Sequence, residues 1–527
     1  MKNYKRYFNH IAKVFILLAG TLYLAGCTKD YDKINTNPNA ISDLSTSQIL
    51  TLISKAESTA PNNQGGYQVA QNLFADQYAQ YFACEATYFP SDRLFIRQDW
   101  VGAAFNPMYT DVMPQLQSIF AATDSMSAEH AIASIWWVYT FHRVTDYWGP
   151  IPYFSAGKPA LSVPYDPQDK IYDDFFKRLT EAAQVLKSHT SETPYGSYDI
   201  VYGGNVNKWI KFCNTLHLRL ALRISKVDPA RAKTEAEAAY AGGVMETSPD
   251  DDALVQRSTK GDDGNGLSIM SDWNEFRMSA SMESVLKGYS DPRISTYFLP
   301  AKNTGTYEGL RNGLSVDQLG KALNSADANS HVGARWASPA YGGNADYLST
   351  SQNVMCTAEA YFLRAEGALN GWNMGGTAGD LYNAGIKASM NQWGITDAAT
   401  ITAYQNSNAT PIPPNDYLNS PALTNIPVKF NAADEAVARE QIATQKWLAL
   451  FPDGMEAWAD YRRSHILKLY PVVNSDNPDI TNTTTQWIRR IPFLLSEQQN
   501  NAQAVKDAES LLGGPDKVTT PLWWDKN

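Results

Sequence analysis

The sequence predicts a mainly α-helical, loop-rich fold, and three observations carry that reading. Apolar residues recur at three- and four-residue intervals through many segments, some of these segments pair across tight turns, and long polar loops separate the helical blocks. The clearest run is "NVMCTAEAYFLRAEGALNGW", where Met355, Ala358, Phe362, Ala365 and Leu369 form one stripe and Arg364 and Glu366 lie off it. Gly371 stops that helix, and a second follows over 379–393. The two make a hairpin with small residues at contact positions, like a tetratricopeptide unit, although no strict sequence repeat accompanies it.

In chain order, "INTNPNAISD" supplies turn residues, and Ser42 or Asp43 caps a helix over 44–58. Helical spacing continues over 66–84, 107–121 and 128–144. The last runs into "HRVTDYWGPIPYFSA", where Gly149, Pro150 and Pro152 end it and force a turn. Further helices are expected over 169–188, 206–225 and 229–241, and a second pair over 434–451 and 453–469, joined by "FPDG". Polar loops begin at Glu246, Lys302 and Asn324, and another spans 406–427. Long loops in a compact protein are usually functional or mobile, so a ligand is to be sought there.

Lys2, Lys5, Arg6 and Lys13 precede an apolar run of about eleven residues over 14–24, the length of a signal-peptide core. That is too short to span a bilayer, which takes roughly 20 apolar residues. Leu24-Ala25-Gly26-Cys27 resembles the lipobox of bacterial lipoproteins, in which cleavage before the cysteine leaves it as the acylated first residue. The expected organisation is a lipoprotein signal peptide over 1–26, a lipidated tether over 27–42 and one ligand-binding domain over 43–527. The usual prior for this length is about three domains, but no long linker or low-complexity stretch separates independent cores.

The net charge is −10, and the chain after Cys27 has no Lys/Arg cluster, which argues against a nucleic-acid partner. Cys84, Cys213 and Cys356 match neither a disulfide framework nor a zinc motif; they read as core thiols, or as at most one disulfide with one cysteine left over. Aromatic residues make up 12% of the chain, with 14 Trp and 29 Tyr, whereas hydrophobic residues total an ordinary 44%. Part of that aromatic excess fills the core. The part in Gly/Asn/Ser-rich loops is a candidate for ligand contact.

Catalytic motifs are missing. His142, His217 and His465 stand alone without HExxH spacing, and neither a G-x-S-x-G elbow nor a P-loop is found. Asp250, Asp251, Asp252, Asp262 and Asp263 could gather oxygen ligands for calcium, but their order is not that of a calcium loop. They read as a solvated acidic loop, and no cofactor is expected. Glu359 and Glu366 would be the obvious pair for glycoside hydrolysis, yet they share a helix with Arg364, where ion pairing is the expected role.

Taken in order, "CTKDYDKINTNPNA", "DYWGPIPYFSA", "KWIKFCNTLHLRLALRIS", "TAEAYFLRAEGALNGW", "QKWLALFPDGMEAWADYRRS", "RRIPFLLSEQQNNAQAV" and "PLWWDKN" resemble the SusD/RagB-like family of outer-membrane nutrient-binding lipoproteins, in its second SusD-like branch. The resemblance runs from Cys27 almost to Asn527. It implies a SusD-like α-helical body with tetratricopeptide-like helix pairs, lipid-anchored through a palmitate-type acyl group on the outer face of the outer membrane. It further implies a lid on a SusC-like TonB-dependent transporter that binds nutrient oligosaccharides and is not an enzyme. The alternatives are a peptide-binding member, a surface glycoside hydrolase or an assembly scaffold. Trp447, Trp458, Arg462 and Arg463 are expected to serve packing.

The resemblance carries no ligand residue into the loops, so physical reasoning selects them. A sugar packs its C–H face on an aromatic plane while its hydroxyls need fixed donors and acceptors. "ARWASPAYGGNADY" offers Arg335, Trp336, Tyr341, Asn344, Asp346 and Tyr347. "EATYFPSDRLFIRQDW" adds Tyr88, Phe89, Arg93 and Trp100, and "SDWNEFR" adds Trp273, Asn274 and Arg277. No catalytic residue and no metal ligand is assigned.

Overall fold

Helix starts in this chain are written in polar side chains. Ser127, Asn205, Asp228, Thr377 and Asp453 each accept a hydrogen bond from the backbone N–H three residues on, satisfying one of the unpaired donors of a helix N-terminus. The computed structural model describes residues 46–62, 64, 66–158 and 160–526. The main helices are α1 (Thr46–Thr59), α2 (Gln98–Pro107), α3 (Met113–Ala122), α4 (Ala128–Trp148), α5 (Gln168–Leu186), α6 (Val206–Arg223) and α7 (Pro229–Gly242). They continue with α8 (Gly266–Trp273), α9 (Ala280–Gly288), α10 (Thr357–Leu369), α11 (Ala378–Gln392), α12 (Ala398–Gln405), α13 (Glu435–Leu450), α14 (Gly454–Ser464) and α15 (Ala502–Leu512). Strands β1 (Phe82–Cys84) and β3 (Phe276–Met278) pair antiparallel, as do β2 (Ala253–Val255) and β4 (Gln352–Met355).

The fold is mainly α, with helix pairs as its unit. α4 packs on α5, α5 on α6 and α6 on α7, while α10 packs on α11 and both pack on α13. Gly149, at φ 88°, ends α4, and a Cβ there would press on Leu512 and Leu522. By its contacts Leu50–Asn527 forms one compact unit. The expected signal peptide, Cys27 and the tether lie outside the described residues.

Several expected boundaries move. The run over 66–84 is a π-helical segment, Gln68–Asp76, followed by β1, because Phe82, Ala83 and Cys84 pair with Met278, Arg277 and Phe276 instead of continuing a helix. The helix expected from 107 starts nine residues earlier, at Gln98. α14 stops at Ser464, where His465 takes the left-handed conformation at φ 57°, and the chain beyond it is irregular.

Phe451, just after α13, gathers the core aromatics. The rings of Tyr81, Phe82, Tyr297, Phe298 and Trp336 surround it at centroid distances of 4.5–5.7 Å. Trp447, Trp458, Arg462 and Arg463 are buried. Trp447 Nε1 donates to the Ala79 carbonyl and Trp458 Nε1 to the Ile488 carbonyl. Charges are buried with partners, as burial requires: Arg219 makes a bidentate pair with Glu359, Arg463 makes one with Glu366, and Lys446 reaches Asp460 at 2.7 Å. Cys84, Cys213 and Cys356 are free buried thiols.

The acidic run is solvated only in part: Asp250 and Asp262 are exposed, whereas Asp251, Asp252 and Asp263 are engaged by the fold. Asp251 is buried, accepts the backbone N–H groups of Glu246 and Thr247, and pairs with Lys211 at 2.9 Å. Asp252 accepts the Thr357 N–H at the start of α10, and Asp263 takes a hydrogen bond from Ser58. These acids tie loops to helices. Among the described residues no three His, Cys, Asp or Glu side chains are grouped to hold a metal, and no helix is long and apolar enough to cross a membrane.

Candidate ligand-binding site

The short β1/β3 ladder brings two of the three candidate loops together. Beyond Cys84 and Phe276 the pairing gains one more rung, Glu85 N–H to the Glu275 carbonyl at 3.0 Å. The chain leaving β1 toward Tyr88 and the chain entering β3 from Trp273 therefore share one edge. A side-chain bond locks them: the Tyr88 hydroxyl donates to Glu275 Oε1, and Gln68 Nε2 donates to Glu275 Oε2 at 2.6 Å.

The third loop is tied to the end of α8. The Tyr347 hydroxyl donates to Asp272 Oδ2, and the Tyr341 hydroxyl donates to the Asp272 carbonyl at 3.3 Å. Tyr341 also lies flat on His331, with centroids 4.8 Å apart and planes at 12°. On the opposite flank Phe89 packs on Tyr88 at 4.7 Å and meets Trp100 edge-on at 5.6 Å, and the Arg97 guanidinium caps the Trp100 ring at 4.5 Å. Trp100, Phe89 and Tyr88 thus form one aromatic cluster tied to Glu275, and Tyr347 and Tyr341 are tied to Asp272. The exposed Trp273 lies in the same 271–277 segment as both carboxylates; together these residues make up an aromatic face.

Exposure separates its open residues from its supports. Tyr88 is 66% and Trp273 51% exposed, and Tyr341 stands at 36%. Asn344 and Asp346 are exposed on the same loop, and among the described residues their side chains make no hydrogen bond. Arg277 is buried: its Nη2 donates to Asn274 Oδ1 at 2.7 Å and its Nε to the Ala326 carbonyl, so it holds Asn274 in its left-handed turn at φ 58°. Arg93 reaches Asp476 at 2.6 Å and belongs to a loop tie.

Two candidates leave the site. Trp336 is 2% exposed, with its ring 5.7 Å from both Trp393 and Phe451, so it is a core residue. Arg335 lies against Trp336 and Trp393 at 5.2 and 5.0 Å, and that burial lowers its pKa. The distant Phe451 hub, which the loop sequence does not reveal, draws Trp336 inward. The carboxylates Asp272 and Glu275 were not selected from the sequence, although both lie in the "SDWNEFR" segment that supplied Trp273.

The face keeps one protonation pattern near neutrality. Its bond to Glu275 pushes the Tyr88 phenol up to about 12, and burial with the Asp272 bond pushes Tyr347 up to about 12. Both phenols remain donors to their carboxylates. Burial, followed by the Arg277 charge, lowers His331 to about 4, so Tyr341 stacks on a neutral ring. Flat apolar faces next to fixed acceptors suit a molecule with C–H faces and hydroxyl edges. Glu359 and Glu366, by contrast, are bound up in their arginine pairs.

The profile of the family described as SusD-like, SusD and RagB outer membrane lipoproteins, matches residues 31–525. Among solved structures, a chitin-binding SusD homologue from Flavobacterium johnsoniae is 36% identical with a TM-score of 0.82, covering 91% of this chain and 99% of its own. A SusD homologue from Bacteroides uniformis is 32% identical at a TM-score of 0.81, with the same two coverages. A further structure, a chitin-binding protein, is 26% identical at a TM-score of 0.74, over 91% of this chain and 99% of its own. No curated protein matches the chain.

Proposed function

The chain belongs to the SusD-like family of outer membrane lipoproteins, and from that premise we propose that it is a surface lipoprotein that binds oligosaccharide and passes it to a SusC-like TonB-dependent transporter. The observation that carries the ligand class is the aromatic face itself: Trp273 is half exposed in the segment that carries Asp272 and Glu275, and each of these carboxylates already holds a tyrosine hydroxyl. Such a surface recognises rings with apolar faces and hydroxyl rims without needing charge on the ligand. Two of the similar structures are chitin-binding proteins, which makes β-linked N-acetylglucosamine chains the first ligand to test. A binding role rather than hydrolysis is supported by the fate of Glu359 and Glu366, both committed to buried ion pairs.

The test is calorimetric titration with N-acetylglucosamine and glucose oligomers and with short peptides. Saturable oligosaccharide binding that weakens about fivefold or more in Trp273→Ala is expected, since loss of one stacking platform costs about 1–3 kcal/mol where ring stacking has been measured. Peptide binding in place of sugar would select the peptide reading, and release of shortened sugars would select hydrolysis. Either result would displace the proposal.

A further inference from the structure

Away from the aromatic face, Glu57 on α1 and Asp199 in the turn over 196–204 bring two acids together inside the molecule. Glu57 is fully buried and Asp199 is 3% exposed. Their carboxyl groups stand in hydrogen-bond contact with each other. Asp199 is saturated with N–H donors: Oδ1 accepts from Val201 and Tyr202 at 2.9 Å each, and Oδ2 accepts from Gly204 and from Trp209 Nε1 at 2.7 Å each. Glu57 has one such donor, the Ile200 N–H at 2.8 Å from Oε2, while its Oε1 is buried and receives none among the described residues.

The charged and titratable groups around the pair are committed elsewhere. Arg257 spends its Nη1 on the Ser58 carbonyl at 2.8 Å and on Asp263 at 3.3 Å. Lys55, on the same helix as Glu57, reaches Asp111 near the surface. α4 contributes Trp136, whose Nε1 donates to the Ala56 carbonyl at 2.9 Å, and the Tyr195 hydroxyl donates to the Glu129 carbonyl. Two ionised carboxylates in a dry contact repel each other, so one of them holds a proton. Four N–H donors suit an anion at Asp199, and Glu57, with one donor, takes the proton. Burial first, and then the Asp199 charge, hold the Glu57 carboxyl well above the ordinary glutamate range.

We propose that one proton shared by Glu57 and Asp199 clasps the second half of α1 to the 196–204 turn, and that its loss as pH rises opens this corner while the rest of the fold stands. In the opened corner Glu57 meets water and titrates near its ordinary value of about 4.3. Between that value and the raised one, the closed corner binds one proton more than the opened one. Closure is therefore strongest in acid and weakens as pH rises. The clasp shares no residue with the aromatic face, so it stands or falls apart from the sugar reading.

Native-state hydrogen exchange reads the clasp directly, because the amides of Ile200, Val201, Tyr202 and Gly204 are themselves donors to the two carboxyl groups. After correction for the intrinsic pH dependence of exchange, their protection is expected to fall about tenfold per pH unit from about pH 5.5 to 7.5, one proton being released per opening. Amides of α11 serve as the reference within the parent protein and should show a shallower profile. Glu57→Gln keeps an acceptor for Ile200 and offers Asp199 an N–H in place of the proton, so its four amides should show a flat profile. The proposal is overturned if these amides follow the α11 profile in the parent, a comparison that needs no variant, or if Glu57→Gln retains the tenfold slope.

Discussion

Asp76 shows what one buried acid does to the behaviour of the chain. Burial, with the nearby Asp453 charge adding to it, pushes its carboxyl up to about 7 against hydrogen bonds from Gln71 Nε2 at 3.0 Å and Tyr67 at 2.9 Å. In the unfolded chain an aspartate titrates near 3.9. The folded state therefore holds the proton more tightly, so this group's contribution is fully present below about pH 4 and is lost as pH rises toward 7. The size is a few kcal/mol at most, taking about 1.36 kcal/mol per pKa unit. Asp76→Asn should remove that slope, leaving stability similar at pH 4 and higher than the parent at pH 8 in urea melts; parallel profiles for the two proteins would refute the assignment. Nothing local in "FADQYAQ" distinguishes Asp76 from a surface acid. Its burial comes from Gly454, where a Cβ would collide with Asp76 Oδ1. Trp273 and Trp336 teach the same lesson from opposite sides: both are loop tryptophans with polar neighbours, and only the long-range packing sends one outward and the other against Phe451.

At the scale of elements, the periodic helices were legible and their partners were not. The stripe over 355–369 and the helical spacing over 128–144, 206–225 and 379–393 are local signals, and each led to a helix within a few residues of its observed bounds. β1 was hidden because three residues carry no readable alternation and their pairing lies far along the chain. Glu359 and Glu366 were read as ion-pairing residues on α10, and the structure supplies the other helices: Arg219 on α6 and Arg463 on α14. Arg219 is 1% exposed and Glu359 is fully buried, so deleting one partner leaves a charge stranded in the core. Glu359→Ala should cost about 3–5 kcal/mol, whereas Arg219→Met with Glu359→Leu should recover most of that loss, because an apolar pair of similar volume replaces both charges. Denaturant titration of the two variants measures the difference, and a single variant as stable as the double would show that the pair does not clamp α6 to α10.

At the scale of the whole molecule, the sequence carries its family more openly than its aromatic face. Family membership was readable because its motifs are core segments that keep their spacing, such as "QKWLALFPDGMEAWADYRRS", whose Trp447, Trp458 and Arg462 are buried. The aromatic face was only partly readable, because it is assembled from three loops by a two-strand ladder and by tyrosine hydroxyls bonded across the chain. Cys27 lies outside the described residues, and its role rests on the lipobox-like Leu24-Ala25-Gly26-Cys27. On the proposal that Cys27 is acylated, its acyl group is the anchor. Each buried methylene stabilises insertion by about 0.8 kcal/mol, and one short chain alone gives only marginal binding; firm retention therefore requires more than one acyl chain on the cysteine. Cys27→Ala should abolish palmitate labelling and move the protein from the membrane to the soluble fraction, with its melting temperature and oligosaccharide affinity unchanged, because none of the face residues approaches position 27 in sequence. The measurement belongs in cells that lack a SusC-like partner, where a transporter cannot retain the protein by docking. Retention of Cys27→Ala in the membrane of such cells would place the anchor elsewhere in the chain.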